Sequence, residues 1–127
     1  MKRPSVFYSI WAIFNNTQQN LLENLKKKIN KELKGPFFPV HMTISAGFLG
    51  EEKELINKMQ LTLNKLDKFK IELEKYDYKN TFFQSLYIQV KKNNEFVSQK
   101  KIIDKAFNCQ TGFFSPHISL FYGCKNN

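Results

Sequence analysis

His41 and His117 are the two histidines of this 127-residue chain, and each is followed two positions later by a hydroxyl, Thr43 and Ser119. Side chains alternate along a strand, so each histidine faces the same way as its hydroxyl. Met42, Ile44, Ile118 and Leu120 then face the opposite side, into apolar packing. Imidazole titrates near pH 6.5, so at neutral pH one ring can serve as base and the other as acid without large tuning. Hydroxyls donate to non-bridging phosphate oxygens and carry no charge that would repel an incoming water. The set suits in-line hydrolysis of a phosphodiester, with one histidine deprotonating water and the other protonating the leaving oxygen. A cyclic phosphate is the natural substrate class, because ring strain lowers the barrier and no metal need be supplied. The sequence offers no Cys/His ligand set, no Asp-x-Asp motif, no Gly-rich phosphate loop and no nucleophile elbow. Neither a metal nor a cofactor is therefore expected.

The flanks of the two motifs also match. Phe37-Phe38-Pro39-Val40-His41-Met42-Thr43-Ile44-Ser45-Ala46-Gly47 aligns without a gap on Phe113-Phe114-Ser115-Pro116-His117-Ile118-Ser119-Leu120-Phe121-Tyr122-Gly123, at the 76-residue separation of the histidines. The same shift lays Val6-Phe7-Tyr8-Ser9-Ile10-Trp11 on Phe82-Phe83-Gln84-Ser85-Leu86-Tyr87. Two segments aligning at one shift indicate an internal duplication, in which each copy supplies one histidine to a shared site.

The elements that must position these residues follow from hydrophobic spacing. Residues 6–14 read as a buried strand. Asn16 or Thr17 caps a helix over about 18–34 with Leu21, Leu22, Leu25, Ile29 and Leu33 on one stripe, stopped by a left-handed Gly35 before Pro36. A strand over 41–46 and a helix over 51–66 come next, the helix carrying Leu55, Ile56, Met59, Leu63 and Leu66. Residues 69–76 alternate as a half-exposed strand. A turn leads to a strand over 81–90, a helix over about 94–107 with Phe96, Lys100, Ile103 and Phe107 at helical spacing, and a final strand over 116–122. The expected order is βαβ-αβ-βαβ in one domain spanning 1–127, with repeat units over about 6–76 and 82–127. The second unit would be incomplete and leave an unpaired strand edge.

Composition sets the outer bounds. A 42% hydrophobic fraction with 13 Phe fits a folded globule, and 20 Lys+Arg against 11 Asp+Glu give a net charge of +9. That charge favours anionic partners such as nucleotides or RNA ends, or else is a solvated Lys-rich surface. Lys26-Lys27-Lys28 with Lys31 and Lys34 reads as the outer face of a helix, with RNA contact as the alternative. Cys109 and Cys124 form no motif, which points to a reduced, cytoplasmic protein. The basic start and apolar run of residues 1–14 do not make a secretion signal, since a similar run recurs at 82–90 and no cleavage site follows. No run is long enough to cross a membrane.

Paired H-x-[ST] motifs on a duplicated scaffold resemble the 2H phosphoesterase superfamily. Within it the sequence is similar to the plant and yeast type of cyclic nucleotide phosphodiesterase, through Tyr8-Ser9-Ile10-Trp11-Ala12, Gly35-Pro36-Phe37, His41-Met42-Thr43, Phe82-Phe83-Gln84, Phe107-Asn108-Cys109 and Pro116-His117-Ile118-Ser119-Leu120-Phe121-Tyr122. The resemblance implies a bilobal α+β fold with the cleft between two pseudo-symmetric sheets. It implies hydrolysis of 2',3'-cyclic nucleotide or ADP-ribose cyclic phosphates to 2'-phosphates, with His117 as base, His41 as acid, and Thr43 and Ser119 on the phosphate. Trp11 and Tyr122 match positions lining the cleft, where they could stack a nucleobase. The family's chains continue beyond the second motif, whereas this sequence ends five residues after Tyr122. Two other readings stand beside it: a 2'-5' RNA-processing phosphodiesterase, and a truncated nucleotide- or RNA-binding remnant, either as a monomer or as an edge-paired dimer.

Overall fold

The computed structural model describes residues 7–109 and 115–123. Val6, Phe113, Phe114 and Cys124 lie outside the described residues. The order is β1 (Tyr8–Ala12), α1 (Asn16–Leu33), β2 (Met42–Phe48), α2 (Glu52–Leu63), β3 (Leu73–Tyr78), a 3-10 turn (Phe82–Gln84), β4 (Leu86–Val90), α3 (Asn94–Phe107) and β5 (His117–Phe121). This is the α+β succession that the hydrophobic spacing implies.

The strands form one antiparallel sheet in the order β1-β2-β5-β4-β3. Its two halves, β1-β2 and β5-β4-β3, meet at a single register pair, Met42 opposite Ile118. The two expected sheets are thus halves of one sheet, joined by a narrow seam. Ala12, Met42, Ile118 and Ile88 form a row across four strands. Met42 and Ile118 are fully buried, in one core with Ile44, Val90 and Leu120 of the strands and Phe96 and Ile103 of α3. The helices cross over between the halves: α1 packs on β5, and α3 packs on β2.

The ladders repeat at the spacing of the histidines. Ile10 faces Ser45, Trp11 faces Thr43 and Ala12 faces Met42. In the other half Leu86 faces Phe121, Tyr87 faces Ser119 and Ile88 faces Ile118. Each ladder skips a residue at the same place, Ile44 in β2 and Leu120 in β5, and the β1–β2 ladder skips a further one, Gly47, which has no counterpart in the other half. These are β-bulges, in which one extra residue bends the strand and re-aims its side chains. The two matched ones fall one residue after the motif hydroxyl.

Several local expectations are corrected. The stop after α1 is Lys34, which takes the left-handed conformation at φ 54°, rather than Gly35. Gly35 is required for a different reason. A Cβ there would run into the Phe121 ring and sit 2.7 Å from Asn30 Oδ1. The cap of α1 is Asn15, whose side chain accepts from the Gln18 N–H at 2.9 Å, and α2 ends at Leu63, not at 66. The strand expected over 81–90 begins only at Leu86. Phe82–Gln84 instead form the 3-10 turn, fixed by the Gly123 N–H donating to the Phe82 carbonyl at 2.8 Å. The strand expected over 69–76 runs over Leu73–Tyr78, because Phe69 and Ile71 pack onto the core before the chain joins the sheet edge. Lys26 does not belong to a solvated face. It is buried, with Nζ 4.0 Å from the Phe38 ring centre. Lys27, Lys28, Lys31 and Lys34 are exposed.

Candidate active site

Antiparallel pairing of Met42 with Ile118 fixes the neighbours on either side. Continued by one residue each way, it sets Thr43 opposite His117 and His41 opposite Ser119. Alternation on that continuation puts the four motif side chains on the sheet face away from the Met42–Ile118 row, at the corners of a square. The histidines sit on one diagonal and the hydroxyls on the other, with Cα atoms about 7–8 Å apart along a diagonal.

Each ring is oriented by the same local device. His41 Nδ1 lies 2.8 Å from the Pro39 carbonyl and His117 Nδ1 lies 2.9 Å from the Ser115 carbonyl, two residues back in each case. A carbonyl only accepts, so Nδ1 carries the proton and Nε2 is left for chemistry. Each ring also has an aromatic wall from the neighbouring strand. Trp11 stacks on His41 at 3.4 Å between centroids and 9° between planes. Tyr87, its counterpart at the same 76-residue shift, meets His117 edge-on at 5.4 Å. The approach to His41 is held by α1, since Glu23 Oε1 accepts from the Val40 N–H at 2.5 Å and Gln19 Nε2 donates to the Val40 carbonyl at 2.8 Å.

Burial lowers the pKa of both imidazoles from the ordinary 6.5. For His41 the Pro39 hydrogen bond opposes that shift, and the positive charges of His117 and Lys26 add to it. For His117 the Ser115 hydrogen bond opposes it and Lys79 adds to it. The contribution of His117 to the lowering at His41 puts the two rings within electrostatic reach of one another.

The hydroxyls differ from one another. Ser119 is buried and its Oγ donates to the Phe83 carbonyl at 2.9 Å, tying β5 to the 3-10 turn. Thr43 is half-buried, and its hydroxyl has no hydrogen-bond partner among the described residues. Trp11 and Tyr122, expected as nucleobase platforms, are each stacked on the protein itself. Trp11 lies on His41 while remaining 44% exposed, and Tyr122 lies on Phe38 at 3.6 Å. The structure therefore gathers His41, His117, Thr43, Ser119 and Trp11 on one face, whereas Tyr122 joins an aromatic cluster with Phe38, Phe82 and Phe83.

Gln19 and Glu23 were not legible as site residues, because polar side chains on an amphipathic helix ordinarily face water. Tyr87 carried a signal in its alignment on Trp11. Among the described residues no group of three or more His, Cys, Asp or Glu could hold a metal ion, and no helix is long and apolar enough to cross a membrane.

The family model described as "Cyclic phosphodiesterase-like protein" matches residues 8–126. The chain belongs to the cyclic phosphodiesterase-like family. Within the curated proteins it is similar to the "Cyclic phosphodiesterase" of Arabidopsis thaliana, at 22% identity over 116 residues. The match covers 91% of this chain and 64% of that relative. As a member of the cyclic phosphodiesterase-like family the chain carries the two H-x-[ST] motifs and both aromatic walls inside the matched span.

Proposed function

We propose that the chain hydrolyses 2',3'-cyclic phosphates of nucleotides or of ADP-ribose to 2'-phosphates, without a metal. The observation that carries this reading is the diagonal pair of Nδ1-anchored histidines. Water attacks phosphorus on the His117 side and gives its proton to His117 Nε2. As the new P–O bond forms, the bond to the 3'-oxygen breaks in line, and His41 Nε2–H protonates that oxygen. Lowering of the His117 pKa by burial and Lys79 supports a neutral base there. Burial, His117 and Lys26 lower the His41 pKa as well, and the negative face of the stacked Trp11 indole acts against that lowering in favour of an imidazolium. Thr43 and Ser119 donate to the non-bridging oxygens.

The test is turnover of 2',3'-cyclic AMP in EDTA, read by mass spectrometry for which hydroxyl keeps the phosphate. A 2'-phosphate formed at an undiminished rate in chelator is expected, and loss of activity with EDTA refutes the mechanism. One observation favours a second reading, a nucleotide- or RNA-end-binding domain without turnover: Ser119 spends its proton on Phe83 rather than on the open face. Binding of the cyclic nucleotide with no product from the wild-type chain would establish that reading.

A further inference from the structure

The two matched bulges, at Ile44 and Leu120, raise a question that the histidines alone do not answer. A bulged residue is left out of the ladder, so its carbonyl needs a partner from elsewhere. Both bulge carbonyls find one, and in each case it is the side chain of a helix from the other half of the molecule. Lys100 of α3 donates to the Ile44 carbonyl in β2 at 2.7 Å. Asn30 of α1 donates to the Leu120 carbonyl in β5 at 3.1 Å.

The residue after each bulge is held as well. Ser45 donates a hydrogen bond to Asp104, which is ion-paired to Lys100 at 3.1 Å. Phe121 packs over Gly35, beside Asn30, in a gap with no room for a Cβ. Asn30 Nδ2 uses its second hydrogen on the Lys26 carbonyl at 2.9 Å, which fixes the amide orientation.

We propose that Lys100 and Asn30 are positioning residues that set the bend of the two motif strands and so aim the His41–Thr43 and His117–Ser119 pairs at a common point. Lys100, Asp104 and Ser45 are all at least nine-tenths buried. A buried ion pair is costly to desolvate, and well-packed apolar residues commonly replace one with no loss of stability. Core packing therefore does not require this network. What an apolar replacement would not supply is a donor for the Ile44 carbonyl. The proposal rests on the two-histidine reading above for its kinetic consequence, but not for its structural one.

The experiment compares Ser45→Ala/Lys100→Met/Asp104→Leu, which removes the whole polar network without stranding a charge, with Asn30→Leu and the wild type. Each is measured for thermal unfolding, for kcat and KM on 2',3'-cyclic AMP, and for the titration of both imidazoles by NMR. The triple variant is expected to melt at or above the wild-type temperature, with kcat lower by roughly 10- to 100-fold and KM changed far less. Its His41 titration should move while that of His117 stays, and Asn30→Leu should do the reverse. Wild-type kcat with unmoved titrations in a folded triple variant overturns the proposal. Should the triple variant not fold, the Asn30→Leu arm decides by the same two readouts. If the wild type itself shows no turnover, the hydrolase reading fails alone. Imidazole titrations that move in the expected crossed pattern then still support the positioning role, and unmoved ones still refute it.

Discussion

Replacing the two motif hydroxyls separates their roles, because among the described residues only Ser119 already has a partner. Thr43→Val keeps shape and β-branching at a strand position that suits Val. It removes a hydroxyl with no partner among the described residues. Unfolding should shift by less than roughly 2 °C. A hydrogen bond to a charged phosphate contributes about 1.5–3 kcal/mol, so kcat/KM should fall roughly 10- to 150-fold. Ser119→Ala behaves differently. It deletes the 2.9 Å bond to the Phe83 carbonyl, a loss of about 1 kcal/mol, which for a domain of this size lowers Tm by roughly 4 °C. Reaching a phosphate requires the Ser119 proton to leave Phe83, so its net contribution to the transition state is about 1 kcal/mol, a loss of roughly fivefold. The assay pairs thermal denaturation with turnover of 2',3'-cyclic AMP on both variants. Turnover by Thr43→Val within twofold of wild type refutes the reasoning, as does a Ser119→Ala that melts with the wild type.

Other outcomes follow from the same geometry. His41→Ala and His117→Ala should each abolish turnover while retaining the wild-type circular dichroism spectrum, and activity persisting in either removes that ring from the mechanism. Because both imidazole pKa values are lowered from 6.5, the bell in kcat/KM should peak on the acid side of pH 6.5, and a peak above it contradicts the burial argument. The same lowering has a stability sign. Below pH 6.5 the unfolded chain binds more protons at these two sites than the folded one. Their effect is therefore a loss of stability as pH falls from 6.5 toward the folded values, measurable as a declining denaturation midpoint. Gly35→Ala places a Cβ 2.6 Å from Phe121 Cδ1 and 2.7 Å from Asn30 Oδ1. It should cost about 2 kcal/mol, with partial recovery in Gly35→Ala/Phe121→Leu. A Gly35→Ala that is as stable as wild type would show that the gap closes elsewhere.

Much of this molecule is written in local pattern. Alternation places His41 with Thr43 and Met42 with Ile44 whatever the strand pairs with, and the 76-residue repeat announces two copies of one unit before any strand is laid beside another. The α3 helix is legible to its ends, Asn94–Phe107, because Phe96, Ile103 and Phe107 share a buried face. Lys100 on that face was visible as a charge at an apolar position, without any hint of what it would meet. The bulges, the single Met42–Ile118 seam and the crossing of α1 and α3 between halves involve partners tens of residues away. Hydrophobic period constrains which face is buried, not which strand lies alongside. Local pattern thus named the candidate side chains and the strand face they share. Only the tertiary pairing decided that Met42 lies across from Ile118 and so brings the two motifs together, that Ser119 is engaged by Phe83 while Thr43 is not, and that Gly35 is dictated by the Phe121 ring rather than by backbone conformation. Those outcomes depend on where distant surfaces come to rest against one another, and spacing along one chain carries no information about that.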